Sequence, residues 1–363
     1  MTDLTREDIR AAVGAGIVSE TQAASMMALA RVRSEEREQV SGPDEPFELY
    51  RGFNEVFIVI GLGILFGGWW WWVSTEATIF SRRAQSSDYL LSVFLALVHM
   101  GGAVALAWYF TLRRRMVAPS IALSICFFFG AWLMGHSIGK LASGEPSLTS
   151  SVTWGAVTLL LAGYYYLFRV PFTLAQVALG VFATAFAAVT LGGTTPGLVR
   201  DYFLLSGGGQ FAILTIVLGF VFLFVALRFD ISDPHRVTRR AASGFWLHVV
   251  AAPAIVNTVA LTLYEQESAW AQLLLLIFVL AMAFFAIVID RRSFLIAGAG
   301  YVAVLSLARL EDGWGYVAVS LLGLVLISLG AIWEAFRRRL MRALPEFPGK
   351  SRLPPWEFAT ASD

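Results

Sequence analysis

The sequence predicts an all-α polytopic membrane protein with about ten transmembrane helices. Composition comes first: of 363 residues, 57% are hydrophobic and 15% charged, and the mean hydropathy is +0.68. That is too apolar for a domain that folds in water. Second, apolar stretches recur at the length of a bilayer-crossing helix, about 20 residues. Third, the arginines fall on alternate sides of those stretches. Runs this long favour helices, because a helix satisfies its own backbone polar groups in lipid. The short alternating segments of an outer-membrane barrel are absent.

Residues 1–54 differ from the rest and read as a cytoplasmic helical module with a linker. Thr5 with Asp8 resembles a capping box, Gly14 and Gly16 break the chain, and Ser19 with Gln22 forms a second cap before Ala23 to Ala30. A charged run from Arg31 to Glu38 precedes the linker Ser41-Gly42-Pro43-Asp44-Glu45-Pro46. Ten carboxylates against six arginines keep this segment off anionic lipid. It is either a solvated tether or a docking module whose Ile9, Val13, Ile17, Met26, Met27 and Leu29 meet a protein partner. No cleavable signal peptide is visible, so the first span is expected to act as its own insertion signal.

The candidate spans are 55–73, 90–110, 117–136, 152–168, 171–191, 209–228, 245–263, 270–289, 294–309 and 315–334, followed by a basic tail at 335–363. With a cytoplasmic N-terminus, the connections on that side hold Arg113, Arg114, Arg115, Arg169, Arg228, Arg236, Arg239, Arg240, Arg291 and Arg292. The opposite side holds Arg82, Arg83, Lys140, Arg200 and Arg309. The ratio is ten to five, and sixteen to five with the six basic residues of the tail. The positive-inside rule therefore puts both ends in the cytoplasm, as an even number of spans requires. Trp69 to Trp72 suit the outer interface and Tyr164 to Tyr166 the inner one. Arg337 to Arg342 are expected to anchor the tail on the anionic inner leaflet. Arg115, Arg169 and Arg292 each end a span before a short turn into small residues, a form that suggests a repeated hairpin.

Polar side chains inside a bilayer are expensive and mark sites. The candidates for ligand contact are His99 in the second span and His248 and Asn257 in the seventh, with Gln176 in the fifth as a further polar position. Pro253 is expected to kink the seventh span. His248 and Asn257 are nine residues apart, on opposite faces of an unbroken helix, so they share a cavity only if the kink rotates the halves. For the two histidines an interhelical hydrogen bond is the plain alternative. His136 and Lys140 lie one turn apart at the end of the third span. Gly63 and Gly67 form a GxxxG pattern expected to bring helices close, within or between subunits. No carboxylate falls in the middle of a span, since Glu55, Asp290 and Glu334 all sit at ends. That speaks against a relay of buried acids.

The loop from Arg228 to Arg240 packs both signs, and Asp233-Pro234 suits a turn. Either charge pairs lock it, or Arg236, Arg239 and Arg240 hold a phosphate or lipid headgroup. Metallohydrolase HExxH, P-loop, nucleophile-elbow and dinucleotide patterns are absent, and nothing in the sequence demands a metal or a cofactor. Cys126 is the single cysteine, which excludes an intrachain disulfide. A net charge of +1 argues against a nucleic-acid partner.

Two stretches, Gly16 to Ala23 and Asp233 to Arg240 leading into Phe245-Trp246-Leu247-His248, resemble a family of uncharacterised bacterial polytopic membrane proteins. Members carry a short N-terminal helical segment before many spans and form a domain of unknown function. The resemblance implies the bacterial inner membrane and carries over no reaction and no catalytic residue. Two functions lead from the sequence, with a membrane enzyme acting on lipid as a third. One is binding or transport of a small or amphiphilic molecule within the bundle through His99, His248 and Asn257. The other is a structural or regulatory membrane protein whose cytoplasmic segments bind a partner.

Overall fold

A computed structural model describes residues 54–84, 89–205, 209–234, 236, 238–266, 268–294, 314–354 and 356, with isolated positions between 9 and 29. Among these residues nine long helices carry the fold and no strand occurs. They are α1 (Asn54–Ala84), α2 (Tyr89–Ala107), α3 (Val117–Ala142), α4 (Pro146–Phe168), α5 (Pro171–Leu191), α6 (Gln210–Ser232), α7 (Arg239–Tyr264), α8 (Ala269–Val288) and α9 (Trp314–Ala343). The first eight are each long and apolar enough to cross a membrane, so the chain is a multi-pass helical membrane protein. The tenth expected span falls within α9; beyond Phe294, the ninth lies outside the described residues, as do Thr5, Asp8 and the linker at 41–46.

Several helices run past the ends that hydropathy alone suggests. With no glycine or proline between Gly68 and Ala84, nothing breaks α1 at its tryptophans. α4 starts early, at Pro146, because proline suits a first helical position. Its early hydroxyls bond back within the helix, Ser151 to the Ser147 carbonyl and Thr153 to the Thr149 carbonyl. α2 continues through a π-helical turn, Trp108–Arg113, in which the Arg114 amide donates to the Tyr109 carbonyl over 3.0 Å. Arg113 lies over the Trp108 ring at 4.1 Å. Arg115 and Arg169 adopt left-handed φ values of 54° and 52°, which end their helices as glycine usually does. In the third expected hairpin that conformation falls instead on Asp290, with φ 55°.

Neighbouring helices pack through small residues. A Cβ added at Gly135 would lie 2.8 Å from the Thr153 carbonyl, and one at Gly219 would lie 2.9 Å from Ile255 Cγ1. Such close approach replaces the hydrophobic drive that lipid cannot supply. One hydrophobic cluster joins α1 to α4 around Leu123, Phe127, Leu161 and Tyr164. A second joins α5 to α7 around Phe182, Leu247 and Val250. Glu55, 1% exposed, accepts the Ala118 amide in the first turn of α3 over 3.2 Å, so an acid on α1 caps a neighbouring helix. Tyr164 is buried at 1% exposure, packed against Phe127 and Phe168. In the N-terminal segment, Ser19 and Gln22 exchange side-chain-to-amide hydrogen bonds of 3.0 and 3.2 Å, the reciprocal cap expected there.

Candidate anion site at the arginine-rich end

The arginine-rich connections gather at one end of the bundle, where α6, α7, α8 and α9 terminate. The α6–α7 connection is shaped by Asp233, which accepts from the Thr238 amide and hydroxyl over 2.9 and 2.8 Å. Thr238 in turn caps α7 by accepting the Arg240 amide. Inside this turn Arg236 adopts φ 56° and reaches across to the end of α8, 3.0 Å from Asp290 Oδ2 and 2.7 Å from the Asp290 carbonyl. Trp333 of α9 donates its indole N–H to the other Asp290 oxygen over 2.8 Å. One carboxylate thereby ties three segments.

Beneath it lies a second ionic centre. Asp230, in the last turn of α6 and 5% exposed, faces His248 Nε2 at 2.8 Å. It also accepts both the Nε and Nη2 of Arg291, and Nη2 further donates to the Ala241 carbonyl over 3.0 Å. The sequence assigned Asp230 to a loop; the helix carries it inside the packed end. A buried carboxylate tolerates this only with a counter-charge and full hydrogen bonding, which Arg291 and His248 supply. Gly244 leaves the room, since a Cβ there would lie 2.7 Å from Asp230 Oδ1.

Above these pairs opens a pocket of about 460 Å³. Arg236, Arg291, Arg292 and Arg337 line it against only Asp290 and Glu334, with Phe245, Trp333 and Trp356 as aromatic walls. Both Asp290 oxygens are already engaged. Arg292 lies 5.1 Å over the Trp333 ring and forms no ion pair among the described residues. Burial, then the like charge of Arg291, lowers the Arg236 guanidinium from its ordinary value, and the Asp290 and Asp230 carboxylates oppose that. Arg337 donates to the Ile287 carbonyl over 3.1 Å and to the Pro354 carbonyl over 2.7 Å, folding the segment after α9 back onto the bundle. With Asp230 pairing Arg291 and Asp290 pairing Arg236, the further positive charge of the pocket comes from Arg292 and Arg337, against Glu334.

The six residues singled out by sequence fall in different places. Arg236 enters this pocket. With Arg239, 7% exposed, it also lines a smaller apolar one of about 250 Å³ beside Phe172 and Trp246. Arg240 points outward and exposed. His248, 0% exposed, is committed to Asp230 and lines no described pocket. Asn257 is half-buried on α7, which stays one helix through Pro253. His99 belongs to a separate groove between α1, α2 and α3. No described pocket joins His99, His248 and Asn257. Sequence reasoning missed Asp230, Asp290, Arg291, Arg292, Trp333 and Arg337 as one unit. The readable signals were Asp290-Arg291-Arg292 directly after an apolar run and the one-turn spacing of Trp333 and Arg337.

The chain matches no protein-family model, no curated protein and no solved structure. Among the described residues no three His, Cys, Asp or Glu side chains converge to hold a metal ion.

Proposed function

We propose that this membrane protein binds an anionic amphiphile, with the headgroup in the arginine-lined pocket and the apolar part against the bundle. The single observation behind the reading is a tryptophan-walled pocket lined by four guanidinium groups, of which Arg291 and Arg236 are paired with Asp230 and Asp290 and Arg292 forms no ion pair among the described residues. Guanidinium forks suit phosphate oxygens, and cations near an anionic leaflet add about 1 kcal/mol each. The same reading takes the arginine-rich end as cytoplasmic, with both termini on that side, in the bacterial inner membrane. The resemblance to the uncharacterised bacterial polytopic family supports that location.

Native mass spectrometry of the purified protein with phosphatidylglycerol or phosphatidylcholine tests it. Phosphatidylglycerol should be retained preferentially. Arg292→Gln and Arg236→Gln should each reduce that retention roughly fivefold. Equal retention of the two lipids by the unaltered protein would overturn the reading.

A second role rests on the N-terminal segment. Ile17, Met26 and Leu29 are 78%, 44% and 53% exposed there, which is compatible with contact to a protein partner and a regulatory function.

A further inference from the structure

Between α1, α2 and α3 lies a groove of about 360 Å³, within the range of about 300–1,000 Å³ typical of small-molecule sites. Its walls are apolar and aromatic, with Phe66, Trp70 and Phe129 prominent. Gly63 and Gly67 form its floor on α1, and a Cβ added at either would meet nothing within 4 Å. Within the chain, the GxxxG pattern thus borders a space rather than a close helix contact.

Among the side chains that line this groove, His99 brings a strong hydrogen-bond acceptor. His99 is 4% exposed, and its Nε2 lies 2.9 Å from the Cys126 carbonyl of α3. A carbonyl only accepts, so Nε2 carries the proton and Nδ1 of the neutral ring is a bare acceptor. Nδ1 is buried and has no hydrogen-bond partner. The ring is set edge-on to α3, for a Cβ at Gly130 would lie 2.9 Å from His99 Cδ2. In an imidazole the Nε2–Cδ2 bond lies opposite Nδ1, so the unpartnered nitrogen points away from α3. On α1, the Phe66 and Trp70 rings stand edge-on to the imidazole at centroid distances of 4.9 and 6.4 Å.

A buried acceptor left without a donor costs about 1–3 kcal/mol, and lipid chains offer no donor to relieve it. We propose that the His99 groove binds a membrane-soluble molecule that pairs an apolar body with one hydroxyl donor: a long-chain or isoprenoid alcohol, or a phenol. Its hydroxyl donates to His99 Nδ1 while its body lies along Gly63 and Gly67 against the aromatic wall. Because Nδ1 is covered by its surroundings, entry includes a shift of the aromatic side chains beside it. The site selects hydroxyl-bearing molecules against ethers and hydrocarbons, because His99 can only accept.

The test compares two photoreactive probes of equal length in nanodiscs holding the full chain: a diazirine-bearing long-chain alcohol and its methyl ether. Cross-linked peptides are mapped by mass spectrometry. The alcohol should label peptides of α1–α3 about five- to tenfold more than the ether, the value of one net hydrogen bond. Gly67→Leu fills the groove and should abolish labelling by both probes there, with α6–α8 labelling unchanged. His99→Phe keeps a ring but removes the acceptor and should bring the alcohol down to the ether. Equal labelling by alcohol and ether in the unaltered protein overturns the proposal without any variant. Labelling that survives Gly67→Leu overturns it as well.

Discussion

Two regions of the bundle use the same residue types to opposite ends. At the α6–α7 contact, Gly219 and Gly244 bring the backbones together until no side chain fits, and His248 is spent on Asp230. At the α1–α2–α3 contact, Gly63 and Gly67 leave a groove that His99 lines; Nδ1 is unpartnered in both histidines, but only that of His99 belongs to a residue lining a described pocket. The difference lies in what each histidine faces. Beside a carboxylate that is itself held by Arg291, an imidazole becomes part of a charged lock. Beside a backbone carbonyl, aromatic rings and an open groove, it has room next to it for another molecule. Rigidity and vacancy are thus separated within one protein, and the closed contact steadies the end that carries the arginine pocket.

The sharpest break of this contrast is Asp230→Ala. It leaves Arg291 buried without its counter-charge and should destabilise the protein by about 3–5 kcal/mol, read as a collapse of the thermal transition in detergent. Adding Arg291→Met to that variant should recover part of the loss; no recovery would mean the pair is not the stabilising unit. A smaller effect belongs to Gly244→Ala, whose new methyl would push against the Asp230 carboxylate. About 1–3 kcal/mol should be lost, although alanine is the better helix former. Smallest of all is Gly63→Ala, which enters open space on a helix and should cost nothing, with a gain of up to about 1 kcal/mol from the better helix former. Equal destabilisation by Gly63→Ala and Gly244→Ala would erase the distinction between the two regions.

The membrane class was legible because apolar run length and arginine alternation are properties of the chain itself. The Ser19–Gln22 cap was legible for the same reason, being local. Partnerships between spans were not. Nothing in the spacing tells that Asp230 meets Arg291 across 61 positions, or that Trp333 meets Asp290 across 43. Asp230 seemed to belong to a loop because hydropathy falls at Arg228, yet the helix continues through Ser232. His99 and His248 look alike in sequence, each a lone histidine in an apolar run. Their roles diverge only through neighbours supplied by other helices. Arg236 was visible within its loop, whereas Arg292 and Arg337 read as ordinary positive-inside residues until the fold set them around one space.

The π-helical turn at the end of α2 has a consequence for chain register. Each π turn holds one residue more than an α turn of the same span, so Trp108–Arg113 stores surplus length just ahead of Arg113, Arg114 and Arg115. Deleting one residue there could be absorbed by reversion to plain α-helix, with the two flanking helices undisturbed. An α-helix advances by about 100° per residue, which makes the stored residue also a phase setting. Its presence fixes the azimuth at which that basic triplet leaves the bundle.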